Sequence, residues 1–424
     1  MVAATAAVAV TAEHRPPSVA EIVTTLANGL TVAVDPMSTT RSVSVGVWVS
    51  VGSRDEPDHL AGVSHFLEHL LFKGTDRIDA REISRRVDRV GGDINAYTAR
   101  EHTVYHARMP ARHLVDAIEL LSDVVLHPAL RADDVESERR VILEELAMDD
   151  DVPDEVVHRK FNEVIFLDHP LGRDPGGTRE SVAALSADQI RGFHGDEYRA
   201  DRMVIAIAGA VDPNDALRAV DRTFGRLLGG AGRLERGAPG PMGADLALVD
   251  DTEQTHLVLG GRGLARSHPD REAFDVVNHV LGGGLSSRLF DEIRERRGLV
   301  YHVQSAVTTH ADAGSWLVYA GSHPDRADEV RSLIESEIER MAARGPNDEE
   351  LAVAKGYLTG AYELGLEDSG ARMSRLGGML TLLGSIRPID EQLDRWNLVD
   401  SDATARVARA VLSSPRIGVT LGPA

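Results

Sequence analysis

The chain has 424 residues, 42 % of them apolar, with 46 Lys and Arg against 67 Asp and Glu and a formal charge of −21. That balance argues against a nucleic-acid partner, whose phosphates would be repelled, and no run reaches the roughly 18 apolar residues of a membrane span. The length predicts two domains of roughly 200 residues each, and the absence of cysteine removes disulfides and thiolate metal ligands together.

Residues 1–18 are alanine-rich without a basic n-region, which predicts a frayed tail rather than an export signal. With no cysteine to oxidise, the chain is expected in the cytoplasm. A hairpin follows, Val23–Leu26 and Leu30–Val34 around Ala27-Asn28-Gly29. Val43–Val51 alternates as a strand. A polar helix, Ala80–Val90, ends at Gly91-Gly92, and strands are expected at Ile94–Ala99 and Thr103–Met109. Helices are predicted over 111–126, 131–149 and 186–195, then a buried strand at Met203–Ala208 and a helix from Pro213. Residues 228–243 are rich in Gly and Pro without periodicity and read as a linker.

Strands at His256–Gly261, Tyr301–Thr309 and Ser315–Gly321 then alternate with helices near 269–281, 286–296, 325–344 and 348–364. The strand running from His102 to Pro110 and the one running from Ser315 to Pro324 both lead into a helix through a proline. The fold class expected is α+β, two homologous α/β-sandwich domains from an internal duplication. The boundaries are a tail 1–18, a metal-binding catalytic domain 19–227, a linker 228–243 and a second domain 244–424.

The chemistry is concentrated at residues 65–69, His65-Phe66-Leu67-Glu68-His69. Positions four apart share a helix face, so His65 and His69 can reach one ion together. Glu68 sits beside that ion, placed to polarise a water molecule rather than to ligate. This is the inverted zinc-protease motif H-x-x-E-H, which points to metal-assisted peptide hydrolysis. A catalytic zinc keeps one position open and takes three protein ligands. Without cysteine the third is expected to be a carboxylate. On the helix from Asp134 to Met148, Val135, Ile142 and Leu146 form an apolar stripe, and Glu138 and Glu145 project together from the stripe beside it. Glu145 is the expected ligand, and Glu138 the group that orients a histidine. The second half has no H-x-x-E-H, so one Zn2+ per chain is expected. His102 and His106, alternating on one strand face, read as packing or cleft-wall residues.

In order and spacing these features resemble the insulinase/pitrilysin family of zinc peptidases over most of the chain. The family's Glu-Arg…Glu-Leu helix falls on Glu138-Arg139 through Glu145-Leu146, which also makes Glu145 the third ligand. Gly91-Gly92-Asp93-Ile94-Asn95-Ala96-Tyr97-Thr98 is similar to the family's active-site edge strand, where substrate adds as an extra strand beside Asn95 and Ala96. Arg294 to Tyr301 resembles its Arg/Tyr pair: Arg294 would hold substrate carbonyls and Tyr301 would bond the developing oxyanion. Gly282–Leu289 and, more weakly, His169–Gly172 match as well. The resemblance implies a zinc endopeptidase acting on peptide substrates. It also implies a clamshell dimer, either a homodimer or a heterodimer with an inactive homologue. The alternative is a non-catalytic assembly subunit on the same fold.

Overall fold

The computed structural model describes residues 21–230, 232 and 234–423, and the expected tail, 1–18, lies outside them. In the first half the elements run β1 (Ile22–Thr25), β2 (Thr31–Pro36), β3 (Ser42–Val49), α1 (Val63–Leu71), α2 (Ala80–Asp88), β4 (Asp93–Thr98) and β5 (Thr103–Pro110). Then come α3 (Leu114–Leu126), α4 (Ala132–Asp150), α5 (Pro153–Ile165), α6 (Arg179–Ala184), α7 (Ala187–Glu197), β6 (Met203–Gly209) and α8 (Pro213–Phe224). The second half has β7 (Leu246–Val249), β8 (Thr255–Gly263), α9 (Arg271–Asn278), β9 (Val300–Thr309), β10 (Gly314–Ser322) and α10 (Ala327–Arg344). It ends with α11 (Asp348–Gly365), α12 (Ser369–Leu383), α13 (Ile389–Asn397), α14 (Ser401–Leu412) and β11 (Arg416–Gly422).

Two sheets result, ordered β1-β2-β6-β3-β5-β4 and β7-β11-β8-β10-β9. Leaving out the extra edge strand β1, they have the same connectivity. The pairs β2/β6 and β7/β11 are parallel, and the remaining pairs are antiparallel. The duplication expected from sequence is thus present at the level of topology.

The alternation of β3 has its cause in burial on both faces. Val43, Val45, Val47 and Val49 point into the main core of the first half. Gly46 and Trp48 point the other way, against Met373 and Leu376 of α12, a helix from the second half. A Cβ on Gly377 would fall 2.0 Å from the Trp48 ring, so only glycine fits there. The second sheet is covered reciprocally. Val258 and the backbone at Gly260 lie under Phe161 of α5, a helix from the first half. Each half therefore lends a helix to the other, and packing units do not follow the 228–243 stretch even though the strands do. Neither α5 nor the elements after α11 were expected from sequence, and β7 was missed as well.

The hairpin tips of the two sheets meet at Glu101. This carboxylate is 2 % exposed and takes hydrogen bonds from Arg54 (2.7 Å), Arg266 and the Ala311 N–H (3.1 Å). The expected linker is pinned here: Arg236 pairs with Asp55 (2.7 Å), and the Gly237 carbonyl accepts from Arg54. Burial pushes the Glu101 carboxyl up, but Arg266, the Ala311 N–H and Arg236 outweigh it and bring its pKa down to about 2. A depressed carboxylate stabilises the fold above its unfolded pKa and loses that contribution as pH falls towards the folded value. Glu101→Gln should therefore cost about 3 kcal/mol at neutral pH. The gap between wild type and variant, read by denaturant unfolding, should narrow steadily below pH about 4.5.

Candidate metal centre

Helix α1 is short, and its register is fixed by burial. Val63, Phe66, Leu67, Leu70 and Leu71 are buried, which leaves His65, Glu68 and His69 half-buried on the remaining face. Its start is held by a group that sequence reasoning missed. Glu56 accepts from the backbone N–H of Gly62 and Ser64, both at 2.7 Å, satisfying donors that a first helical turn leaves free. Burial pushes the Glu56 carboxyl up to about 7 even though both N–H groups favour the anion. Gly62 is at φ +90° and packs on the backbone of Gly176 and Gly177, so the turn Asp174–Gly177 braces the same end. The only sequence signal for that brace was its Pro-Gly-Gly composition.

Helix α4 buries Val135, Glu138, Ile142 and Leu146, and Glu145 emerges half-buried on the adjoining line. His69 Nε2 lies 3.3 Å from His65 Nε2. Glu145 Oε2 is 3.6 Å from His69 Nε2 and 3.8 Å from His65 Nε2. Zinc bonds of about 2.1 Å at tetrahedral angles set their ligand atoms about 3.4 Å apart, so the three atoms fit one ion. Among the described residues this is the one group of histidine and carboxylate atoms close enough to share a metal. Burial and the neighbouring His69 ring lower the His65 pKa, against the pull of Glu68, Asp174 and Asp149. That keeps the ring neutral, the form that ligates.

The supporting residues also converge. Glu138, 3 % exposed, places Oε2 3.3 Å from His69 Nδ1, and Lys73 Nζ lies 2.5 Å from its other oxygen. A buried carboxylate of this kind fixes the imidazole and is itself neutralised. Lys73 was not anticipated. Glu68 stands outside the ligand group and accepts a 2.6 Å hydrogen bond from the Thr98 hydroxyl. Thr98 closes β4, which among the described residues pairs only with β5 and so presents an open edge carrying Asn95 and Ala96. Asn95 is exposed, and its side chain accepts from the Ala96 N–H (2.8 Å). His102 stacks on Trp48 at 5.3 Å, in the wall role expected of it.

Arg294 and Tyr301 are not brought to this centre. They pair with each other, the guanidinium 5.3 Å from the ring centroid, and Tyr301 is 82 % exposed. Tyr301 stands at the start of β9, eight residues or about 26 Å of strand from Thr309. The Thr309 end is the one that meets the first half, through Arg266.

Residues 31–179 match the model of the insulinase peptidase family, M16, and residues 184–358 match that of the M16 inactive domain. The second description agrees with a second half that lacks the histidine motif. An uncharacterized zinc protease of Mycobacterium leprae is 44 % identical, with 94 % of this chain and 91 % of that protein covered. The uncharacterized zinc protease YmxG of Bacillus subtilis is 34 % identical, with 92 % and 95 % covered. Two crystal structures share the fold. A protease from Helicobacter pylori has a TM-score of 0.88 at 24 % identity, covering 96 % of this chain and 100 % of that one. A peptidase M16 inactive domain from Pseudomonas fluorescens has a TM-score of 0.90 at 21 % identity, covering 96 % and 98 %. Similarity of this extent, carried along both halves and nearly the full length of the relatives, places the chain in the insulinase family of peptidases, family M16.

Proposed function

We propose that the chain is a zinc metalloendopeptidase that hydrolyses unfolded peptides or presequence-like segments, with one Zn2+ held by His65, His69 and Glu145. The observation that carries this reading is the spacing of those three ligand atoms beside a carboxylate, Glu68, that is tied to an open strand edge. Bound zinc supplies Lewis acidity, making water nucleophilic near neutral pH and polarising a carbonyl. Glu68 takes the proton of the attacking water and passes it to the leaving amine. The peptide lies along β4 as an added strand past Asn95 and Ala96, its backbone bonds giving affinity with little dependence on sequence.

Tyr301 stabilises the oxyanion and Arg294 holds substrate carbonyls, both from a second copy of the chain in a closing homodimer. Exposed apolar side chains on that half, Leu285 at 80 % and Tyr357 at 54 %, favour a covering partner. An inactive homologue could take the same place. The chain has no cysteine and, among the described residues, no helix long and apolar enough to cross a membrane. We place its action in the cytoplasm. A non-catalytic assembly role on the same fold is disfavoured by a complete ligand set.

A quenched-fluorescence peptide should be cut by the purified chain, the cutting should stop with chelator, and stoichiometric zinc should restore it. A chain that carries zinc and cuts no peptide would support the assembly role instead.

A further inference from the structure

A cavity of about 570 Å³ opens where the two halves meet, and one of its walls is Thr98, the residue bonded to Glu68. It continues the open edge of β4 beyond Thr98 into Ala99 and Arg100. A peptide lying on that edge has this cavity at its end.

The lining of the cavity is rich in arginine. Arg100, Arg266 and Arg271 line it against one carboxylate, Glu101. Glu101 is already committed to Arg54, Arg266 and the Ala311 N–H. Arg266 has a 10 % exposed side chain, and its Nη1 is enclosed without a partner. Arg271 makes no side-chain hydrogen bond and no ion pair among the described residues, and its Nε is buried and unmatched. Asp275, the acid one turn further on, feels the Arg271 charge, but its hydrogen bond, at 3.3 Å, comes from Trp396 Nε1. A third unmatched buried atom, His102 Nδ1, belongs to the same lining. Buried polar groups are nearly always paired, so the two unmatched guanidinium N–H groups beside one cavity point to an acceptor that arrives from outside.

The apolar part of the lining limits what that acceptor is. Met379, Leu382 and Leu383 of α12 are half-buried there. The lining therefore combines two guanidinium groups with apolar surface, which suits a carboxylate on a short aliphatic stem.

We propose that this cavity is a carboxylate-binding subsite that selects peptides with an acidic group a few residues from the scissile bond. Arg271 and Arg266 are the recognising residues. The carboxylate comes either from an internal Glu or Asp side chain or from the peptide's own C-terminus. This inference rests on the peptidase reading above.

The test uses the full-length zinc-loaded protein and quenched peptides in which a single Glu, Gln or Lys is moved through the positions flanking the cut, each with an amidated C-terminus. A further neutral peptide ends in a free carboxylate, and that arm separates the two sources. At one position, or with the free terminus, wild type should favour the carboxylate over its neutral counterpart by about ten-fold or more in kcat/KM. Arg271→Gln should bring that ratio close to one, and Arg271→Glu should invert it in favour of Lys. Loss of fold cannot produce such an inversion. A wild-type ratio near one at every position and terminus, with the neutral peptide still cut, would overturn the subsite and leave the peptidase reading standing. If wild type cuts no peptide, the peptidase reading fails and the cavity is judged by binding alone. The fluorescence anisotropy of a labelled Glu peptide should then show at least ten-fold weaker binding to Arg271→Glu, and equal binding would refute the subsite.

Discussion

Glu68→Gln should leave one zinc per chain and lower kcat for a quenched peptide by about 10²–10⁴-fold, the usual worth of a positioned proton-transfer group. The geometry separates this residue from the two candidate ligands on the same helix. The three atoms that can share an ion come from His65, His69 and Glu145, and Glu68 instead turns its carboxylate to the Thr98 hydroxyl at 2.6 Å. Gln preserves the size of the side chain and can still accept from Thr98, but it cannot take a proton from water. Metal analysis and steady-state kinetics on the same preparation decide the assignment. Loss of zinc together with activity would make Glu68 a ligand, and full activity would remove it from the chemistry. Glu145→Gln should behave in the opposite order, losing zinc first and activity as a consequence, because a neutral amide is a poor substitute for a carboxylate ligand.

The contrast between these carboxylates was legible in the sequence because helical spacing is a local rule. His65 and His69 one turn apart, and Glu138 and Glu145 two turns apart, need only the 3.6-residue period to be put on their faces. The strands with clear alternation were legible for a similar reason. What escaped was set by contacts distant along the chain. Helix α12 contains Gly377-Gly378, a pair that locally reads as a helix breaker. It is helical because the Trp48 ring, more than 300 positions away in sequence, occupies the space a side chain would fill. Helix α5 was overlooked because the sheet it covers belongs to the other half. Glu56, Thr98 and Lys73 gave no signal of their own, since a lone Glu, Thr or Lys acquires a role only from the backbone N–H, carboxylate or imidazole brought against it.

That distance problem is sharpest for Tyr301, and mixing two inactive variants tests it. Glu68→Gln and Tyr301→Phe should each be nearly inactive alone. When equal amounts are mixed and allowed to exchange subunits, activity should rise to about a quarter of wild type, since half the dimers are mixed and each restores one of its two sites. The reasoning is geometric. Within one chain the Thr309 end of β9 meets the first half through Arg266 and Glu101, while Tyr301 stands about 26 Å along the strand from that contact. It is exposed and touches only its neighbour Arg294 among the charged groups near it. In the proposed homodimer a tyrosine so placed would serve an oxyanion on the other copy's substrate rather than on its own. Rescue requires the intact Glu68 of one chain to work with the intact Tyr301 of the other. If the mixture stays as inactive as its components while subunit exchange is verified by mass, Tyr301 acts within its own chain or not at all. An active Tyr301→Phe on its own would remove the phenol from the reaction.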